Sequence, residues 1–335
     1  MTSAKNRIDL SQLPPPTVVE EIDYEDLLET RKQELISRYP EAADYLQYES
    51  DPMLKLLEEN AYLETLLRQR INDAAVSVML AYASGTDLDN LSAFFGVERL
   101  ILEPEDRSTV PPTTAVLESD TRLRERTQLA LDGFSTAGPA GAYLFHALSA
   151  SPLVKDVSVR APKFEYAELS PEVEASLPAG AIVLIATDDA GLSTPVPGDV
   201  AVTILSTDGT GTPEPDLIET VMTSLDDENV RPLTDNPRYL PVELVDYNLE
   251  ATIYVKPGVE GQAVMSAVEL SANNFIQDQK ILGSDLAISA VYKALHLSGV
   301  ARVALASPAS DVPIAAFQAP HCTSVQLHYG GVEDE

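Results

Sequence analysis

The chain has 335 residues, 44% of them hydrophobic, enough to fill the cores of about two or three domains. Its 53 acidic residues against 22 basic ones leave a net charge of −31, which repels phosphate backbones and argues against a nucleic-acid partner. No run approaches the roughly 20 apolar residues of a membrane span, the start MTSAKNRIDLSQLPPP has no apolar block like that of a signal peptide, and the single cysteine, Cys322, cannot pair internally; a protein made and kept in the cytoplasm is the expectation.

An extended arm opens the chain. In LPPPTVVEEIDYEDLL three prolines favour polyproline II ahead of a helix that starts near Asp23. Leu13, Val18, Val19 and Ile22 are apolar on this arm, which has no core of its own; they either pack on their own domain or dock on a neighbouring subunit, and are the candidate assembly residues. A long helix follows, with Asp51 as N-cap and Pro52 at its first position. Met53, Leu57, Asn60, Leu63, Leu67, Ile71, Ala74, Val78 and Tyr82 recur every three or four residues, so one apolar stripe is expected as far as Gly85, whose left-handed conformation would end it. A short helix, DLDNLSAFF, stops at Gly96, and residues 100–117, with Pro104, Pro111 and Pro112, read as a linker.

ESDTRLRERTQLALDGF and PAGAYLFHALSAS predict two further helices. After Pro152 the texture changes to short β-rich runs, LVKDVSV, AIVLIAT and VAVTILST, followed by a helix at PDLIETVMTSL and a boundary at 231–238. The last third repeats this grammar. PVELVDYNLEATIYVKPG makes one or two strands, then come a helix carrying Val264, Val268, Ala272 and Phe275, a second helix capped by Ser284 with the stripe Ile288, Val291, Tyr292 and Leu295, and closing strands at VARVAL and CTSVQLHYG. The fold class expected is α+β and multidomain: an arm at 1–22, a helical domain and linker at 23–117, a central helix-turn-helix plus α+β domain at 118–235, and a C-terminal α+β domain at 236–335, with short mixed sheets.

The stretch DGFSTAGPAGAY, Asp132 to Tyr143, comes near two catalytic signatures. Gly133 and Gly138 have the spacing of a phosphate loop, but Pro139 and Ala140 replace its Lys and Ser/Thr; Ser135 lacks the glycine two residues on that a hydrolase elbow requires. Helix punctuation explains both. Gly133 closes one helix, Pro139 fits the first turn of the next, and Ser135 and Thr136 can cap it. The four histidines do not cluster: on a strand Cys322 and His328 would share a face and His321 would point away, giving at most two metal ligands. TDLDN at Thr86 to Asn90 lacks the glycine and glutamate of a calcium loop, and helix N-capping accounts better for Asp87. Neither a catalytic centre nor a cofactor or metal site is expected.

Taken in order, LPPPTVVEEIDYEDLL, ENAYLETLLRQRINDAAVSVMLAYASGTDLDNLSAFFGVER, ESDTRLRERTQLALDGFSTAGPAGAYLFHALSASPLVKDVSV, VRPLTDNPRYLPVELVDYNLEATIYVKPG and ILGSDLAISAVYKALHLSGVARV resemble baseplate assembly protein J of contractile-tailed phages and phage-tail-like bacteriocins. The resemblance spans nearly the whole chain. It implies a non-enzymatic structural subunit of the baseplate wedge, in which two copies join one smaller protein I-like partner and six wedges ring the hub and tail tube, beside the sheath. The positions that carry it are Gly85, Asp87, Gly96, Val97 and Arg99, then Asp120, Leu123, Arg124, Arg126, Gly138, Tyr143 and Val157, which the resemblance makes fold and assembly positions. Two other functions stay open at this point: an acidic module that binds a basic protein, and a serine hydrolase acting through Ser135.

Overall fold

A computed structural model describes residues 8–135, 138–178 and 180–333. Thr136 lies outside them, so its capping role has no structural counterpart here. The described residues divide into two compact units: one is formed by residues 8–99 and 118–128, the other by residues 100–117 and the described part of 129–333.

The first unit is helical. A short 3₁₀ turn at Leu10–Gln12 leads through the prolines to α1 (Tyr24–Arg38), which starts where the sequence predicts, and its N-cap Asp23 accepts hydrogen bonds from the N–H groups of Glu25 and Asp26. After the single turn α2 (Ala42–Tyr45) comes α3 (Pro52–Ser77), capped by Asp51 with Pro52 in its first turn. Leu54, Ala42 and Leu46 make a small core with Leu35, Ile36, Met53 and Leu57. Beyond Met53 and Leu57 the expected stripe is not the buried one. Leu54, Ala61 and Asn72 are the buried residues of α3, while Leu63, Leu67 and Ile71 are 55%, 60% and 52% exposed. Val78 and Tyr82 fall outside the helix, because residues 78–83 turn back on themselves and Arg124 takes the carbonyls of Leu80 and Ala83 that further helix would have used. Gly85, at φ +53°, therefore opens α4 (Gly85–Ala93) rather than closing α3. Gly96, at φ +71°, ends α4 as expected, with the Val97 N–H donating to the Ser92 carbonyl. Then α5 (Asp120–Gly133) enters the unit through its first nine residues.

The second unit holds four small sheets and five complete helices among the described residues. Residues 100–117 are more than a linker: β1 (Ile101–Glu103) pairs antiparallel with β2 (Val116–Leu117). Next, α6 (Ala140–Ala150) and α8 (Pro215–Leu225) pack on a three-stranded sheet of β3 (Val154–Arg160), β6 (Asp199–Ser206) and β7 (Asn236–Pro241). β3 runs antiparallel and β7 parallel to the central β6. The strand β7 starts inside 231–238, so that segment is only partly a connector. Leu144, Leu148, Val157, Val202, Ile204, Val221 and Leu225 fill this core. A separate two-stranded ribbon joins β4 (Lys163–Tyr166) to β5 (Leu184–Asp188), with α7 (Pro171–Ser176) between them.

The last sheet has the same arrangement. β8 (Glu243–Val255) lies between β10 (Gln318–Val332), parallel to it, and β9 (Val300–Ser307), antiparallel. One face of α9 (Gly261–Gln279) buries Val264, Val268 and Ala272, with Phe275 partly covered, in line with the periodicity, and α10 (Ile288–Leu295) buries Val291 and Leu295, whereas Tyr292 of its expected stripe is exposed. Ser284 is not the cap of α10. Leu286 bridges to Val312 in β fashion, which keeps the preceding residues out of the helix, and the Ile288 N–H donates instead to Asp311 Oδ1, at 2.8 Å. β10 also departs from simple alternation: a bulge between Cys322 and Ser324 shifts its parity, so Cys322 and Leu327 share the core-facing side and His328 points away.

Candidate assembly surface and the arginine cluster behind it

The arm runs along α3 in its own unit. The Glu20 N–H donates to Asn72 Oδ1 (3.0 Å) and Asn72 Nδ2 returns a bond to the Glu20 carbonyl (2.8 Å), a reciprocal pair that explains why an asparagine is buried on α3. Tyr82 Oη donates to the Leu13 carbonyl, and Arg68 pairs with Glu20. Val19 and Ile22 are half-buried, whereas Leu13 and Val18 keep 42% and 54% exposure.

Between arm, α1 and α3 lies an open groove of about 610 Å³. Val18, Leu63, Leu67 and Ile71 supply its apolar lining, and Glu20, Arg31, Glu64 and Arg68 its charges. Arg31 Nη2 and Arg68 both pair with Glu64, whose carboxyl they hold below the usual range, Arg31 contributing most. Paired charges beside exposed leucines make a surface with specific polar contacts at its edge and apolar area to lose from water.

Several of the turn and fold candidates converge elsewhere in the same unit. Arg99 Nε donates to Asp89 Oδ1 (2.7 Å), its Nη1 to the Glu118 carbonyl (2.6 Å) and its Nη2 to Asp120 Oδ1 (2.7 Å). Asp120 Oδ2 accepts the Gly85 N–H (3.0 Å); that bond first, and Arg99 second, depress the Asp120 carboxyl below its ordinary value. Arg124 reaches the carbonyls of Leu80 and Ala83, both at 2.6 Å. Arg126 donates to Glu118 Oε2 at 2.5 Å and to the Glu98 carbonyl, while Arg122 Nε pairs with Glu118 Oε1 at 3.1 Å. Leu123 and Val97 are buried nearby in the same unit. Asp87 behaves differently: it is exposed in the first turn of α4, where its charge suits the helix dipole, and makes no N-cap bond. Sequence reasoning missed Asp89 and Glu118, since nothing in an acidic chain singles out two carboxylates among 53.

The corner at 132–143 belongs to the second unit. Gly133 is the last residue of α5, but without positive φ; a Cβ there would meet the Phe145 ring at 2.3 Å, so close packing demands the glycine. Gly138 has φ +68°, and a Cβ on it would meet Pro232 at 2.4 Å. Pro139 is the N-cap of α6, one place ahead of the first turn, and leaves Ser135 no capping role. Tyr143 is buried and donates to Asp235 Oδ2 at 2.9 Å; burial, then that bond, push its phenol pKa up. His146, the histidine nearest Ser135 in sequence, has its Nε2 on the Gly133 carbonyl at 3.2 Å. Among the described residues no three His, Cys, Asp or Glu side chains form a group able to hold a metal, and no helix is long and apolar enough to cross a membrane.

The Baseplate J-like N-terminal domain matches residues 49–106, and the Baseplate J-like protein C-terminal domain matches residues 247–328. Baseplate protein J of Escherichia phage P2 is 40% identical to the chain over 332 residues, covering 98% of this chain and 99% of the phage protein. The chain belongs to the baseplate protein J family. It is accordingly a structural protein of a phage tail baseplate, a part of the virion that associates with other baseplate proteins. The N-terminal match spans α3 and α4, the elements that carry the groove and the exposed leucines, and the C-terminal match spans most of β8 through β10.

Proposed function

We propose that the chain is a wedge subunit of the baseplate, linking hub and tube, sheath and periphery, and that the groove along α3 is where its neighbours seat. The observation that carries this reading is the exposed row Leu63, Leu67 and Ile71 on a 26-residue helix that spans about 39 Å. A ring of repeated units needs such area on every copy, because its contacts are buried only on assembly. The family resemblance supports two copies and one smaller protein I-like partner per wedge, and six wedges per ring. Val18 of the arm lines the groove beside the row and Leu13 is exposed further along the arm, and the arginine cluster of Arg99, Arg124 and Arg126, with Gly85, Gly96 and Asp120, fixes the turns that follow α3 in the chain.

Coexpression with the neighbouring tail genes tests this. The natural chain copurifies in fixed stoichiometry with a smaller partner, and Leu63→Ser, Leu67→Ser and Ile71→Ser together lower recovery of the complex at least tenfold while circular dichroism stays unchanged. Each side chain is already about half exposed, so each loses only about 1 kcal/mol of burial at the interface. A natural chain that stays a stable monomer beside those partners overturns the reading.

A further inference from the structure

We propose that the β4–β5 ribbon is a second docking element, which inserts into an apolar groove rimmed by Lys and Arg on a different baseplate protein. The proposal rests on the wedge reading but concerns another part of the chain. The ribbon is built at its root and uncovered beyond it. Arg160, at the end of β3, donates to both carboxylate oxygens of Asp188 (2.9 and 2.7 Å), and Asp188 also accepts the Ala190 N–H at 3.0 Å. Ala190 is buried with φ +56°, a conformation that side-chain-bearing residues avoid unless their surroundings impose it. Such a root fixes where the ribbon starts.

Beyond the root, none of the described residues from Lys163 to Thr187 is buried. Tyr166 pairs across the strands with Leu184, and Glu165 with Ile185, so each face carries a large apolar side chain. Tyr166 is 79% and Ile185 56% exposed, and Val173 and Ile182 are open as well. A lone two-stranded ribbon is marginal in water, and apolar groups on both of its faces are the pattern of a segment completed by a partner.

Charge selects the partner. Glu165, Glu168, Glu172 and Glu174 outnumber the ribbon's one cation, Lys163. Nucleic acid would repel the four glutamates, whereas a groove with basic edges both covers the apolar residues and neutralises them.

The test uses assembled tail particles that carry a photoreactive benzoylphenylalanine in place of Ile185 or, on the opposite face, Tyr166. After irradiation, mass spectrometry should place the adduct on an apolar peptide of another baseplate protein with Lys or Arg close in its sequence. Adding Glu165→Lys, Glu172→Lys and Glu174→Lys should cut the adduct yield at least tenfold. Adducts to a second copy, no adduct at either position, or a yield indifferent to charge reversal overturn the proposal. Particles that contain the chain without the adduct leave the wedge reading intact; particles that lack the chain overturn both.

Discussion

Asp120 shows how one carboxylate can join three segments. It starts α5, accepts the Gly85 N–H at the start of α4, and pairs with Arg99 beyond the end of α4. Its folded pKa lies below the 3.8 of an unperturbed aspartate, so the group stabilises the fold at any pH above that value, and the contribution is lost as pH falls through the depressed pKa. Asp120→Asn keeps the shape and removes the charge. Urea unfolding should find the variant less stable at pH 7 by about 1 kcal/mol, a figure kept low because the carboxylate is 34% exposed and partly screened by solvent. The difference should persist down to about pH 4 and shrink below it. A constant difference across that range would mean that geometry, not charge, is what Asp120 contributes.

At the scale of elements, the turns are settled by space as much as by backbone preference. Gly133 and Gly138 stand at the two ends of one corner for different reasons: the first for lack of room beside Phe145, the second for lack of room beside Pro232 and a positive φ as well. Alanine at 138 incurs both penalties, so Gly138→Ala should destabilise the second unit by about 2 kcal/mol or more, of which about 1 is backbone. Gly133→Ala should cost about 1–3 kcal/mol, according to how far Phe145 can shift. Thermal unfolding of both variants checks these costs, and equal stability of Gly138→Ala and the natural chain would contradict the first. Both glycines are visible in the sequence as helix punctuation, but the aromatic ring that requires the first is twelve residues on and gives no local sign.

Over the whole molecule the dominant quantity is the net charge of −31. Exposed charge contacts are screened within about 8 Å at physiological ionic strength, whereas apolar contacts are not. A wedge complex held through Leu63, Leu67 and Ile71 should therefore survive on a size-exclusion column from about 0.1 to 1 M NaCl, a range over which the Debye length falls from about 10 to 3 Å. Dissociation in the upper half of that range would favour an acidic module that captures basic partners. The ribbon contact, with four glutamates, is expected to be the more salt-sensitive of the two.

Local information in the chain was enough for the α+β class, the helix start near Asp23, the cap at Asp51, the end of α4 at Gly96, and most helices and strands, because caps, glycines and apolar periodicity act within a few residues of themselves. The ordered family landmarks were legible for the same reason: they are strings, read without knowing what they touch. Which face of α3 is buried was decided by packing. A helix with apolar residues on more than one side can turn either toward the core, and Leu54 packs with Met53 and Leu57 against Leu35 and Ile36 of α1 while Leu63, Leu67 and Ile71, the rest of the predicted stripe, stay outside. The end of α3 was decided by Arg124, 44 residues from Leu80, and the side on which Cys322 lies by a bulge in β10. These choices depend on partners distant in the chain, and a competing tertiary hydrogen bond or one extra residue in a ladder is enough to override a local preference.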